Sequence, residues 1–296
     1  MNQRFIGQTL FKLLFVALTM VFTAACDAPG VTSEEPGVTG NLVYQRSVKG
    51  GGLADRDVVV WLPPGYEENS DEHYPVLYMH DGQNLFDPAT SYAGVDWSID
   101  EAMDRLIRSG RVAPMIVVGV YNSADRTAEY SPGEMGTTYM AFIIDVVKPM
   151  IDQAYRTRPE RQHTLVGGAS SGGTISFMLA WDHPEIFSGA ICMSPAFKVG
   201  PGQDFSPFDF IGYFEKTRAL PRDVFFYIDN GGVGLDEILQ PGIEDMLGSL
   251  ERWGYRASED WVFNRDPNAK HDEAAWAMRF PDALIRTLHG VAANQP

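Results

Sequence analysis

Gly168-Ala169-Ser170-Ser171-Gly172 sets a serine between two glycines, after an apolar run and before a stretch that reads as an amphipathic helix. A serine hydroxyl is a poor nucleophile until a neighbouring imidazole removes its proton. A sharp strand-to-helix turn solves part of that problem. It lifts the hydroxyl clear of the sheet in a strained backbone conformation, and the glycines remove side chains that would collide with the neighbouring strand and helix. The start of the helix then turns free N–H groups and its positive dipole end toward developing negative charge. The G-x-S-x-G spacing selects Ser170 as nucleophile and excludes Ser171, because Ala169 stands two residues before the latter. The string alone is weak, and its place between a strand and a helix gives it force.

A base and an acid must follow. Three histidines lie downstream of Ser170. His183 precedes Pro184 where the helix after the turn ends, and reads as a surface residue. His289 lies near the C-terminus. His271 follows the last strand by the polar loop Asn264–Lys270, and sites of open α/β sheets form at such strand ends, so His271 is the expected base. In strand–turn–helix hydrolytic sites the chain order is Ser, acid, His, which places the acid after the strand Val224–Ile228. Asp236 is preferred there, with Glu237 and Asp229 as alternatives; Asp229, at the strand end, serves the Asn230-Gly231-Gly232 turn equally well. His80-Asp81 reads as a surface turn or a buried structural pair. Nothing in the spacing favours a metal held by His80, Asp81 and His271, and no metal or cofactor is expected. Arg126, Glu129 and Tyr130 line a pocket or form a structural ion-pair cluster, and the second reading is preferred.

The elements that must position these groups are legible as alternating patterns. Strands are expected at Val58–Leu62, Tyr74–Met79, Met115–Val120, Thr164–Val166, Ser188–Met193, Val224–Ile228 and Asp260–Phe263. Helices are expected from Ser98, as N-cap, through Arg108, along the Tyr139–Ile151 stripe, and at Gly172–Trp181, Asp236–Trp253 and Ala274–Leu288. Strands alternating with helices imply right-handed crossovers and a mostly parallel sheet between two helical layers. The expected architecture is three-layer α/β.

The chain resembles the "putative esterase" family of α/β-hydrolases, which includes S-formylglutathione hydrolases, enterochelin esterases, feruloyl and acetyl-xylan esterases, and mycolyltransferases. The likeness covers about residues 41–290. It rests on Leu62-Pro63-Pro64-Gly65-Tyr66, on His80-Asp81-Gly82-Gln83-Asn84-Leu85-Phe86-Asp87, on Tyr155-Arg156-Thr157, and on His271-Asp272-Glu273 with Trp276. Ser171 stands where the family's nucleophile motif usually has Met. The resemblance implies a serine ester hydrolase of the α/β-hydrolase fold working through an acyl-enzyme, with the backbone N–H groups of Ser171 and Gln83 holding the oxyanion. Two rival expectations keep the scaffold: an acyltransferase acting on envelope sugars or lipids, and an inactive, envelope-anchored binding homologue.

Composition narrows the partners. The chain has 296 residues, 39 Asp plus Glu against 23 Lys plus Arg, and a formal charge of −16. That field repels a phosphate backbone, so nucleic acid is excluded and a small-molecule or carbohydrate ester is the expected partner. Arg4 and Lys12 precede an apolar run from Leu13 to Ala25, too short to span a bilayer but of signal-peptide length. It ends at Thr23-Ala24-Ala25-Cys26, which resembles a bacterial lipoprotein signal. The expectation is a signal at 1–25, a lipidated Cys26, a tether at 26–40 rich in Pro, Gly and acid, and an esterase domain at 41–296, exported to the envelope or secreted. Cys192 lies in an apolar strand and reads as a small core residue.

Overall fold

The computed structural model describes residues 38–203, 206–217 and 223–294. The expected signal, Cys26 and most of the tether lie outside them. Ten strands and eight α-helices are described, with a π-helical turn at Phe142–Val147 joining two of the latter. The strands are β1 Asn41–Gly50, β2 Leu53–Leu62, β3 Val76–His80, β4 Ile116–Val120, β5 Thr164–Ala169, β6 Gly189–Met193, β7 Lys198–Val199, β8 Phe208–Asp209, β9 Phe225–Asn230 and β10 Trp261–Arg265. The helices are α1 Ile99–Arg108, α2 Arg126–Glu129, α3 Glu134–Ala141, α4 Lys148–Ala154, α5 Ser171–Asp182, α6 Ile211–Thr217, α7 Leu235–Arg252 and α8 Glu273–Ala293.

Eight strands form one sheet in the order β1-β2-β4-β3-β5-β6-β9-β10. The β1–β2 and β2–β4 pairings are antiparallel, and every other pairing is parallel. This is the mostly parallel α/β-hydrolase sheet. The buried apolar residues divide into two clusters, one per face. Val58 and Val60 of β2 join the cluster that holds Ile175, Phe177, Leu239 and Ile243, whereas Val59 and Trp61 join the one with Ile99, Met103, Phe280 and Leu284. The period-two alternation of a strand therefore feeds both layers at once.

Three expectations change. The β1–β2 hairpin adds an edge strand that the apolar runs did not announce, because the outer half of β1 is polar and largely exposed, at Arg46, Ser47 and Lys49. The helix after the serine is not amphipathic: every residue of α5 from Gly172 to Trp181 is buried, since it is clasped between the sheet and other helices. Ser98 precedes α1 in a left-handed conformation (φ 49°) and makes no side-chain cap.

Candidate active site

β5 runs straight into α5 through Ser170, whose backbone sits at φ 57°, ψ −129°. A non-glycine residue held at positive φ costs about 1–3 kcal/mol and persists only where its surroundings enforce it. Here they do. The Ser170 N–H donates to the Met193 carbonyl at 2.9 Å, and the Ser170 carbonyl accepts from Gly173 and Thr174 at 2.9 and 3.1 Å. The flanking glycines follow from space. A Cβ on Gly168 would lie 2.7 Å from the Gly172 carbonyl oxygen, and one on Gly172 would lie 3.2 Å from Oδ2 of Asp81. Ser170 occupies the N-cap position of α5 yet makes no side-chain cap bond. Its hydroxyl is left for other work, and the N–H groups of Ser171 and Gly172, the first two of α5, have no intrahelical acceptor.

His271 and Asp236 come from two loops zipped together at the carboxyl ends of β9 and β10. Gly232 and Val233 both donate to the Ala269 carbonyl, at 3.0 and 3.1 Å, and Asp266 donates to the Asn230 carbonyl at 3.0 Å. This brings Nδ1 of His271 within 2.7 Å of Oδ1 of Asp236, to which it donates. Oδ2 of the same carboxylate accepts from the Gly231 N–H at 3.1 Å. Asp236 is fully buried. A buried carboxylate that accepts one bond on each oxygen is fixed in orientation, and it fixes the imidazole tautomer in turn. The His271 ring also meets Trp276 edge to face, with centroids 4.9 Å apart. Its Nε2 has no partner among the described residues, and no hydrogen bond links it to Ser170. The two residues line the same cavity, of about 500 Å³.

The other candidate acids are placed elsewhere. Glu237 is exposed on α7. Asp229 is buried against Arg279 (2.9 Å) and accepts from the Ser194 N–H (3.0 Å), which makes it a structural partner of α8. His183 is a surface residue beside Glu185, and His289 is exposed on α8.

The end of β3 forms the facing wall. Asp81 adopts a left-handed conformation (φ 58°) that turns the chain into the Gly82–Asn84 turn. Its carboxylate takes a bidentate pair from Arg126, both distances 2.7 Å, and a 2.6 Å bond from the Asn122 side chain. Arg126 thus neutralises an anion that would otherwise oppose negative charge near Ser170. Gln83 is held at both ends: its side-chain oxygen accepts from the Asn122 N–H (3.2 Å), and its carbonyl accepts from Thr90 (2.7 Å). His80 points away into the core, where Nδ1 meets the Tyr139 hydroxyl at 2.8 Å and burial depresses its pKa to about 3. It is not brought to His271. Glu129 is the structural ion pair expected of that stretch, bidentate to Arg56 at 2.7 Å and fully buried, and Tyr130 is buried beside it. Arg126 itself lines the cavity.

Residues 54–287 match the family described as "Putative esterase". The chain belongs to that family. Over 135 residues it is 30% identical to an endo-1,4-beta-xylanase/feruloyl esterase of Xylanibacter ruminicola, an alignment that covers 43% of this chain and 18% of that protein. It thus spans a small part of that relative's length. Among solved structures, a ferulic acid esterase superposes with a TM-score of 0.67 at 21% identity, covering 85% of this chain and 99% of the other. The enterobactin esterase of Shigella flexneri gives 0.64 at 12% identity, covering 87% and 61%. At these identities the structures establish a shared α/β-hydrolase fold.

Two cavities meet at Ser170 in this esterase-family chain. The first, which contains His271, is walled by Trp97, Trp276, Tyr92 and Arg126. The second, about 490 Å³, shares Ser170 and Leu235 with the first and is lined further by Ser171, Val199, Phe208, Phe210 and Leu239. The sequence did not point to Asn122, Tyr92 or Trp97. The signal for Asn122 was its position just past an apolar strand, at the same sheet edge as Ser170. The Phe208–Phe210 wall belongs to the β7–β8 hairpin, whose two-residue strands carry no readable period.

Proposed function

We propose that the protein hydrolyses carboxylic esters through a Ser170 acyl-enzyme. The observation that carries this reading is the 2.7 Å His271–Asp236 bond facing, across one cavity, a strained serine whose hydroxyl is otherwise unengaged. The reaction requires Oγ of Ser170 to come within hydrogen-bond reach of Nε2 of His271 as substrate enters; such bonds are commonly long before substrate binds. Oγ attacks the ester carbonyl carbon while its proton passes to Nε2. The oxyanion is held by the N–H groups of Ser171 and Gln83. Collapse breaks the bond to the alcohol oxygen, which leaves with the proton from Nε2. Water then repeats the cycle on the acyl-serine and releases the acid. No step calls on a metal or cofactor.

The placement of His271 divides the substrate. The leaving alcohol must sit beside the imidazole that protonates it, so it occupies the cavity walled by Trp97, Trp276 and Tyr92. The acyl group then lies in the second cavity, between Phe208, Phe210, Leu235 and Leu239. An apolar or aromatic acyl group on a sugar-sized alcohol fits this division, and feruloyl esters of plant cell-wall sugars are the first class to test, in keeping with the relatives. Export behind the N-terminal signal, with Cys26 lipidated, fits a substrate met outside the cytoplasm. A panel of p-nitrophenyl esters of rising acyl length, followed by methyl ferulate, tests the reading. Rates should rise from acetyl to longer or aromatic acyl groups, and Phe208→Ala should raise KM for the long esters alone. Indifference to acyl structure would oppose the assignment. Lack of hydrolysis of any ester, with Ser170 unreactive, would oppose the activity itself.

A further inference from the structure

Asp96, Asp100 and Glu101 gather at the N-terminus of α1, and one carboxylate oxygen from each lies within 4.8 Å of the others. Acidic residues in a helix's first turn are ordinary, because they meet the positive end of the dipole. This cluster is not ordinary in two respects. Asp100 is completely buried, and no N–H or O–H group from outside the cluster reaches its Oδ1, which has the Glu101 carboxyl for a neighbour; Oε2 of Glu101 is likewise enclosed with no outside donor. Of the polar groups nearby, the Thr39 N–H donates to Oδ2 of Asp100 (2.6 Å) and the Ser98 N–H to Oδ2 of Asp96 (2.9 Å), which leaves the remaining oxygens turned on one another. No Lys, Arg or His among the described residues forms an ion pair with any of the three. An uncompensated buried carboxylate costs several kcal/mol, and three together repel. Something positive must sit among them: a shared proton or a cation.

We propose that Asp96, Asp100 and Glu101 hold a hard divalent cation, calcium by preference, that pins the start of α1 to the strand-entering segment at Thr39. An all-oxygen donor set excludes soft metals, and the flexible spacing of three carboxylates suits calcium's variable geometry better than magnesium's strict octahedron, with water completing the shell. The site has a structural consequence. Trp97 lies between Asp96 and the helix, donates its backbone N–H to the Asn84 carbonyl (2.9 Å), and packs at a tilt of 39° against Trp276 with centroids 5.3 Å apart. A cation at the carboxylates therefore braces the aromatic wall of the cavity that holds His271, without touching any reacting atom.

The test uses the full chain stripped with a chelator. Terbium is titrated in with excitation of tryptophan, since Trp97 adjoins the site and sensitises a bound lanthanide. The expected result is saturable emission with one ion per chain, displaced by calcium and only weakly by magnesium. Calcium a hundredfold above its Kd should raise Tm by roughly 5 °C or more. Both effects should vanish in Asp100→Asn and in Glu101→Gln. The second variant, at a half-buried position, keeps the test available if the first fails to fold. Absence of saturable emission would overturn the proposal. So would emission and a Tm rise unchanged in both variants, which would place the ion elsewhere on the acidic surface. Variants that unfold at higher temperature than the parent with no response to calcium would assign the cluster a shared proton instead, and overturn it equally.

Discussion

Gly231 has no catalytic atom, yet its replacement should cripple the enzyme. Its backbone lies outside the left-handed region, so alanine brings no backbone strain; the whole effect is steric. A Cβ at this position would stand 2.1 Å from Oδ2 of Asp236 and 2.5 Å from the Ala269 carbonyl oxygen. Carbon and oxygen in contact need about 1 Å more than the first of these distances. The carboxylate and the loop that carries His271 must therefore part from Gly231 by roughly that amount, which stretches the 2.7 Å His271–Asp236 bond past the length at which it holds. Misplacement of a catalytic group by about 1 Å costs on the order of a hundredfold in rate, or about 2.7 kcal/mol of transition-state stabilisation. Steady-state hydrolysis of p-nitrophenyl butyrate by Gly231→Ala should accordingly show kcat reduced about a hundredfold with KM little changed. Far-ultraviolet circular dichroism should show the fold intact, and Gly212→Ala, where a Cβ meets nothing within 4 Å, serves as control. A Gly231→Ala enzyme that is folded and hydrolyses at the parent's rate would refute the claim that the two zipped loops set the imidazole.

Other outcomes follow from the same geometry. Asp236→Asn should lower kcat about 10⁴-fold by allowing the wrong imidazole tautomer, whereas Glu237→Gln, exposed on α7, should leave it unchanged; equal losses would reassign the acid. Glu129→Leu strands a buried Arg56 and should cost about 3–5 kcal/mol of unfolding free energy in urea, and a loss below about 1 kcal/mol would deny that the pair is desolvated. His80 supplies a pH test: its folded pKa of about 3 lies below the unfolded value of about 6.5, so its stabilisation is complete above pH 6.5 and drains away as pH falls toward 3. Between pH 7 and 5 the parent should lose about 2 kcal/mol relative to His80→Leu, and parallel losses in the two proteins would contradict the depressed pKa.

Much of this architecture was readable because parallel strands buried on both faces are written as continuous apolar runs. Met115–Val120 and Ser188–Met193 announced β4 and β6 to within one residue. The edge strand β1, polar and exposed over its outer half, lacks that signature and was missed, whereas the other edge strand, β10, kept the short apolar run Trp261–Phe263. The motif around Ser170 was legible because a tight turn between close-packed strand and helix demands glycine at fixed offsets, as the clashes at Gly168 and Gly172 bear out. The acid was harder. Asp229, Asp236 and Glu237 are chemically alike, and only the path of the Gly231–Gly234 loop distinguishes them by delivering one to His271 and another to Arg279. Side chains that meet across the sheet edge, such as Asn122 on Asp81 or Trp97 on Trp276, depend on contacts between segments far apart in the chain. No local pattern records them.

The central claim is that the Ser170 hydroxyl is an activated nucleophile. Incubation with a fluorophosphonate, followed by proteolysis and mass spectrometry, measures it most directly. A stoichiometric adduct on the peptide carrying Ser170, absent in Ser170→Ala and slowed at least a hundredfold in His271→Ala, is the expected result. An unlabelled Ser170, or labelling that proceeds as fast without His271, would contradict the account.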